Sequence, residues 1–424
     1  MTKASLDVRA NIALAMGAIA GAFSLSASAD VTFSGEFGVQ QRYYLQDALY
    51  PTQPRAQGSL FLQPSLYTEW NEGYDSLVFT PFVRLDQEDS ERSHADIREL
   101  LWLHAADNWE LRVGIGKVFW GQTESLHLVD IINQTDAVES VDGEDKLGQP
   151  MVSYTWLHEY GSLSAYVLPY FRERTFSGLE GRLRPPVPVN TDKPLFESDD
   201  EESNVDFALR WQQSINSWEV GVSFFHGTNR EPELIGTLNE MGEQELLPFY
   251  RQINQVGIDV LNVSGDWLWK FEAIYRAAET DNAISPAMGV PLTPESEAID
   301  YFAAVGGFEY TLVGFMETTY DLGILMEYQY DERDNNFFAP AQNDLMLGVR
   351  WALNDQDSTE VLVALIQDLD DTNSRGGFIE ASSRMTQNWR WTLEGYFFAA
   401  EDPLKPLYFV RQDDHIQFGV EYFF

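Results

Sequence analysis

Hydrophobic and polar residues alternate along most of the chain from residue 31 onward. In the clearest segment, Val31, Phe33, Gly35, Phe37 and Val39 share one face, and the intervening positions carry mainly polar residues. A period of two places successive side chains on opposite faces of a β-strand. The pattern therefore predicts strands that have one apolar face and one polar face.

Eighteen segments show this alternation, and most have the roughly 9–11 residues that a tilted strand needs to cross a bilayer. They are 31–42, 60–69, 77–86, 96–106, 109–116, 151–159, 162–171, 204–212, 217–226, 252–263, 266–276, 299–310, 320–330, 344–353, 359–368, 377–385, 389–398 and 414–424. The pattern predicts an all-β fold, a transmembrane antiparallel β-barrel built as an up-and-down meander of 18 strands. Because the alternation is weak in 96–106, 299–310 and 377–385, a barrel of 16 strands is the alternative.

The connections between the predicted strands alternate in length. Short ones, such as 107–108, follow every second strand, whereas most of the others are long and charged, as at 117–150, 173–203, 228–250 and 277–297. Outer-membrane barrels have short periplasmic turns and long extracellular loops. Tryptophans cluster at the short turns, which is typical of side chains that anchor a barrel in the membrane interface. They are Trp70, Trp109, Trp156, Trp211, Trp218, Trp267, Trp351 and Trp389.

Composition excludes several other classes of protein. The formal net charge of −40 disfavours nucleic acid as a partner, because the phosphate backbone is itself negative. Hydrophobic residues make up 44% of the chain and aromatic residues 14%, which is too much for a disordered protein. The chain has no cysteine, so disulfides and thiolate metal sites are excluded.

The N-terminal segment has the features of an export signal. Lys3 and Arg9 precede an apolar run at 12–25, and small residues follow at 27–29. This order of regions predicts a cleaved signal peptide at residues 1–29, so the barrel would occupy residues 30–424.

The last strand carries a second targeting signal. Its alternating residues end in a segment that includes Gly419, Tyr422 and Phe424. This segment resembles the C-terminal signal by which the barrel insertion machinery of Gram-negative bacteria recognises its substrates. The sequence therefore predicts a location in the cell outer membrane, with that machinery, outer-membrane lipid and lipopolysaccharide as partners.

The polar strand faces, assigned inward, give a lumen lined by charged residues of both signs. The arginines are Arg42, Arg84, Arg98, Arg112, Arg210, Arg276, Arg350 and Arg390, and the carboxylates include Glu36, Asp86, Glu272 and Glu327. Opposed rings of such charges would create a transverse field that selects solutes by charge. Alternatively, the same residues form ion pairs along the wall and stiffen the barrel.

The segment 116–150 is unusual for a solvated loop because it mixes apolar and polar residues. We expect it to fold into the barrel as a constriction, and a compact external cap is the alternative. Its acidic residues resemble a calcium site in composition, but their spacing does not match an EF-hand loop. They are Asp136, Glu139, Asp142, Glu144 and Asp145. The sequence indicates no cofactor and no resident metal.

Within this segment, Trp120 and Gly121 are followed by Asp130, Asn133 and Asp136 at intervals of three. The pattern resembles one in an uncharacterised family of proteobacterial outer-membrane barrels, which is roughly G-R-Q-x-x-x-W-G and then D-x-x-N-P-x-D. This chain departs from it at 117–118 and at 134. The resemblance implies a channel or transporter role and assigns no catalytic residue.

The sequence thus predicts a porin-like channel for small solutes. One alternative is an outer-membrane enzyme that acts on lipid, with His226 as its candidate residue, although no metalloprotease, nucleophile-elbow or phosphate-loop motif is found. The other alternative is a structural or surface-recognition barrel that works through its long acidic loops. The transported solute and the oligomeric state stay open at this point.

Overall fold

A computed structural model describes residues 31–280, 300–333, 341–403 and 405–424. In it the chain forms a closed barrel of 18 strands, each antiparallel to its neighbours. The barrel strands are β1 (Val31–Tyr44), β2 (Ala56–Trp70), β3 (Asp75–Asp86), β4 (Ala95–Ala105), β5 (Trp109–Gly116), β6 (Gln149–His158), β7 (Gly161–Leu168), β9 (Asp206–Ile215), β10 (Trp218–Thr228), β13 (Gln252–Ser264), β14 (Trp267–Ala278), β15 (Tyr301–Leu312), β16 (Asp321–Asp331), β17 (Asn343–Ala352), β18 (Glu360–Asp368), β19 (Arg375–Arg384), β20 (Trp389–Ala399) and β21 (His415–Phe423). The expected signal peptide at 1–29 lies outside the described residues.

The first and last strands close the barrel. β1 pairs with β2 on one side and with β21 on the other. Gly35 and Phe424 also exchange two backbone hydrogen bonds of 3.0 Å each. Closure leaves no barrel strand with an edge of unpaired backbone groups. A sheet in lipid must be closed in this way, because no water is present there to hydrogen-bond such an edge. The prediction of 18 strands is confirmed, and the alternative of 16 is wrong.

The predicted strand boundaries agree with the observed ones to within a few residues. β2 begins at Ala56 rather than at 60, and β7 ends at Leu168 rather than at 171. The early end of β7 has a packing reason. Phe171 is fully buried and packs edge-on against the rings of Phe196 and Tyr250, which belong to a small sheet separate from the barrel wall, so the chain leaves the wall before this residue.

That small sheet was not predicted from the sequence. It consists of β8 (Leu195–Phe196), β11 (Glu233–Leu238) and β12 (Gln244–Tyr250). β11 and β12 form a hairpin, and β12 pairs in parallel with β8. It therefore joins two of the long connections into one folded layer.

The remaining regular elements of the described residues are short. Within these ranges, three 3-10 turns lie at Asn71–Gly73, Glu201–Ser203 and Phe315–Glu317, and one short helix lies at Leu407–Val410. Among the described residues, no helix has the length and apolarity needed to cross a bilayer. We call the end of the barrel that carries the short connections the turn end, and the opposite end the loop end.

The outer face of the wall is apolar and exposed. On β1, Phe33 and Val39 are 52% and 50% exposed, whereas Arg42 on the inner face is 6% exposed. Several tryptophans are exposed beside the short connections of the turn end. They are Trp70, Trp156, Trp218, Trp267, Trp351 and Trp389. An apolar belt with a row of indoles at one end is the surface expected of a wall that faces lipid.

Candidate functional site: a loop across the barrel lumen

The connection between β5 and β6, residues 117–148, lies inside the barrel, and we call it the inner loop. Its side chains Trp120, Val129, Ile131 and Ile132 are buried and pack against apolar residues of the inner wall. The wall residues are Met151, Tyr166, Leu168, Ala208, Phe225, Ile253, Ile274, Tyr301 and Ala303. Burial of a large apolar side chain contributes about 1.5–3 kcal/mol, so this cluster fixes one flank of the loop on β6–β15.

Two residues of the sequence pattern hold the inner loop together from within. Asn133 Oδ1 accepts a hydrogen bond from the backbone N–H of Val118 at 2.9 Å, and Asn133 Nδ2 donates to the carbonyls of Gly116 and Leu147. This amide therefore ties the two ends of the loop to each other. Asp130 lies 3.2 Å from Lys146 Nζ, and its Oδ1 accepts from the N–H of Trp120.

A carboxylate of the wall, Glu272 on β14, binds the backbone of the inner loop. It is fully buried and accepts hydrogen bonds from Gln122 N at 2.6 Å, Thr123 N at 3.0 Å and Thr123 Oγ1 at 2.7 Å. Hydrogen bonds to a charged group are stronger than those between neutral groups. Gly121 fits beside this carboxylate, since its φ is +148° and an added Cβ would lie 3.1 Å from Glu272 Oε1.

A second wall carboxylate, Glu327 on β16, holds the next residues of the loop. It accepts from Glu124 N at 2.8 Å, from Ser125 N at 2.9 Å and from Ser125 Oγ at 2.6 Å. Glu124 in turn lies 2.7 Å from Arg350 and 3.2 Å from Lys270, both on the wall. These contacts position the 124–125 turn against β14, β16 and β17.

The far part of the inner loop is bound to β3, to β4 and to the connection between them. Asp136 accepts from Arg98 at 2.7 Å and lies 3.0 Å from His94 Nε2, and Glu139 forms a 2.6 Å ion pair with Arg84. In the ring of 18, eight strands separate β4 from β16 on either side. The inner loop is therefore fastened to opposite walls and crosses the lumen.

The electrostatic surroundings keep Asp136 ionised. Burial alone would raise its pKa, but hydrogen bonds and charges from His94 and Arg98 outweigh burial and hold the pKa well below its usual range. Burial would lower the pKa of His94, and Asp136 and Glu139 raise it above its usual value. His94, Asp136 and Glu139 converge closely enough for a metal, but the carboxylates are already paired with arginines. This geometry favours a charge network.

The connection between β7 and β9, residues 169–205, covers part of the loop end, and we call it the mouth loop. Arg182 is buried, forms a 2.6 Å ion pair with Asp413 and stacks over the ring of Tyr44. Val138 of the inner loop also donates its N–H to Thr175 of the mouth loop. The mouth loop thus reaches across the opening to the connection before β21.

The arginines predicted to line the lumen lie on the inner wall, and most are paired beside it rather than opposed across it. Arg210 forms two hydrogen bonds with Asp259 at 2.7 and 2.9 Å, and Arg350 lies 2.5 Å from Glu360. The other pairs are Arg112 with Glu110, Arg276 with Glu231 and Arg390 with Glu421. The predicted carboxylate Asp86 pairs with Arg92, which was not predicted to line the lumen. Arg42 donates to the amide oxygen of Gln417.

Several carboxylates on the inner surface have no such cation. Tyr396 on β20 donates its hydroxyl toward Asp142 at 3.1 Å and Glu380 at 3.4 Å, and one hydrogen serves one acceptor at a time. Glu394 accepts from the amide of Gln417. We call Asp142, Glu380 and Glu394 the acidic face. Among the described residues, none of the three forms an ion pair with lysine or arginine.

Sequence reasoning did not find Glu380, Tyr396, His94 or Thr123. Glu380 lies on β19, where the alternation is weak because Gly376 and Gly377 stand at its start. Hydropathy therefore did not show which side chains of β19 point outward and which point inward. The other residues act through partners distant in sequence, and no local pattern marks such a contact.

His226, the candidate for a lipid-acting enzyme, lies on the outer side of β10 near the loop end. Its Nδ1 is 3.1 Å from Asn254 Oδ1 and 3.2 Å from Glu279 Oε1. Neither neighbour is a hydroxyl or a thiol, so these contacts do not pair His226 with the serine that a lipase-like site needs.

Neither a protein-family model nor a curated protein matches the sequence. Among solved structures, the chain is similar to OccK8 (OprE) of Pseudomonas aeruginosa, with a TM-score of 0.53 and 11% identity over 94% of this chain and 98% of that one. It is also similar to OpdQ of the same organism, with a TM-score of 0.51 and 8% identity over 94% and 99%. At such identities the likeness is one of fold, that of outer-membrane porins.

Proposed function

We propose that the protein is a porin-like channel of the outer membrane that passes small hydrophilic solutes beside the inner loop. The observation that carries the proposal is a closed barrel of 18 strands whose inner loop is fastened to opposite walls. A barrel of this size encloses more space than its own wall side chains fill. The inner loop would set the width of what remains, in the role of a constriction.

The exposed side chains of the inner loop indicate where solutes would pass through the barrel. The loop's apolar half is buried against β6–β15, whereas Asp142, Glu144 and Asp145 are exposed although the loop lies within the ring of strands. Water therefore reaches this acidic tip, and we place the path beside it. Tyr396 on β20 marks the part of the wall that the tip contacts, because its hydroxyl donates to Asp142 at 3.1 Å.

The remaining parts of the proposal concern the membrane. The apolar outer face would contact outer-membrane lipid, the indoles of the turn end would lie at the periplasmic interface, and the long loops would face lipopolysaccharide outside the cell. The strand that carries Gly419 and Tyr422 would serve as the insertion signal. Tyr422 packs against Trp389 with ring centroids 4.9 Å apart, and it shares its face of β21 with the exposed Phe418.

A planar-bilayer recording tests the proposal. Purified, folded protein should give stepwise, voltage-driven currents in potassium chloride. It should also release small solutes, but not large ones, from loaded liposomes. A folded barrel, as judged by its heat-modified mobility, that stays silent in both assays would overturn the channel function.

A further inference from the structure

We infer that the path accepts cationic solutes in preference to anionic ones, an inference that rests on the proposed channel. The preference comes from which charges are neutralised inside the barrel. A positive and a negative charge that are paired largely cancel each other's electric field. The unpaired charges therefore determine the electrostatic potential that an entering ion experiences.

Most positive charges of the inner surface are neutralised by paired carboxylates. Arg84 and Arg98 are 4% and 3% exposed and are bound to carboxylates of the inner loop. Arg210 is 6% exposed and bound to Asp259. A guanidinium that is buried and paired presents little charge to a solute in the water-filled part of the lumen.

The carboxylates of the acidic face are not paired with cations in this way. Asp142 and Glu380 share the single hydroxyl hydrogen of Tyr396. Glu394 accepts from the neutral amide of Gln417, and it pairs directly with Glu380 in the register of β19 and β20. These three carboxylates lie where the tip of the inner loop meets β19 and β20.

One cation beside the acidic face sets the limit of this argument. Arg42 on β1 lies in the same row of paired residues as Gln417 and Glu394, and its Nε donates to the amide oxygen of Gln417 rather than to a carboxylate. Arg42 thus offers one positive charge against the three carboxylates of the acidic face. The balance at this level of the lumen stays negative.

The size of the expected preference follows from Coulomb's law. One unit charge about 4 Å from an ion in water changes its energy enough to alter its local concentration about fivefold, and screening by salt reduces this. Solutes that suit the path are small cations, inorganic or organic, since the inner loop limits the cross-section. Anions of similar size would be disfavoured by a comparable factor.

The experiment is a reversal-potential measurement in a gradient of potassium chloride, on the full chain. The wild-type protein should favour potassium over chloride several-fold. The double variant Glu380→Gln with Glu394→Gln should lose most of that preference, and the single variant Asp142→Asn should lose part of it. The matched control, Glu201→Gln with Glu202→Gln, removes two carboxylates from the mouth loop and should leave the preference unchanged.

Each outcome decides a different point. An absence of conductance in the wild type would overturn the channel itself. Conductance that favours chloride would overturn the cation preference while leaving the channel intact. Cation preference that survives in both the double variant and Asp142→Asn, with the barrel folded by its heat-modified mobility, would overturn the assignment to the acidic face.

Discussion

At the scale of single residues, the inner loop is positioned by a few carboxylates that accept several hydrogen bonds each. Residue types and strand faces let the sequence place Arg98 and Glu272 on the inner wall. They did not reveal that Asp136 would reach Arg98, because a pair separated by 38 residues across a loop leaves no local trace. The choice between a transverse field and wall ion pairs therefore required the geometry of Asp136, Glu139 and their arginines.

The substitution Asp136→Asn tests this residue-scale account. It leaves Arg98 and His94 beside a neutral group, and the loss of one partner of a buried ion pair typically costs ~3–5 kcal/mol. We expect the free energy of unfolding to fall by that amount in urea titrations of the protein in lipid vesicles. Asp199→Asn, on an exposed part of the mouth loop, is the control and should change stability by less than about 0.5 kcal/mol. Equal stability of the two variants would contradict a structural role for the Asp136 network.

At the scale of elements, strands were predictable and loops were not. A barrel wall between lipid and a polar lumen imposes a period of two on its strands, so hydropathy located most of the 18 segments clearly and three of them, at 96–106, 299–310 and 377–385, only weakly. The inner loop has no such period, and its sequence favoured a constriction but left an external cap as the alternative. Its placement depends on contacts with β4, β14 and β16, which lie far from it in sequence. The β11–β12 hairpin was missed for a similar reason, since it packs on a loop layer rather than on the wall.

The substitution Glu327→Ala tests how the inner loop is held. It removes the acceptor for the backbone N–H groups of Glu124 and Ser125, and the 124–125 turn should come away from β16. We expect larger and noisier single-channel currents than those of the wild type. Glu317→Ala, in an exposed turn at the other end of the barrel, should leave the currents unchanged. If Glu327→Ala conducts like the wild type, this anchor does not set the width of the path.

At the scale of the whole molecule, composition indicated an acidic barrel but could not say where its charge acts. A net charge of −40 is compatible with acidic outer loops, an acidic lumen or both. The structure separates these cases, because most of the wall arginines are paired with carboxylates, whereas the acidic face around Asp142 forms no ion pair with lysine or arginine among the described residues. The proposed channel therefore combines a wall set by strand periodicity with a path set by long-range contacts.

The most direct test of the central claim is a labelling experiment on the tip of the inner loop. The chain has no cysteine, so Asp142→Cys gives a single reactive thiol. Attachment of a bulky thiol reagent during a planar-bilayer recording should reduce the current of this variant in discrete steps. The same reagent on Met241→Cys, at an 80% exposed position of the β11–β12 hairpin tip, should leave the current unchanged. Full labelling of residue 142 without any change in current would show that the inner loop does not line the path.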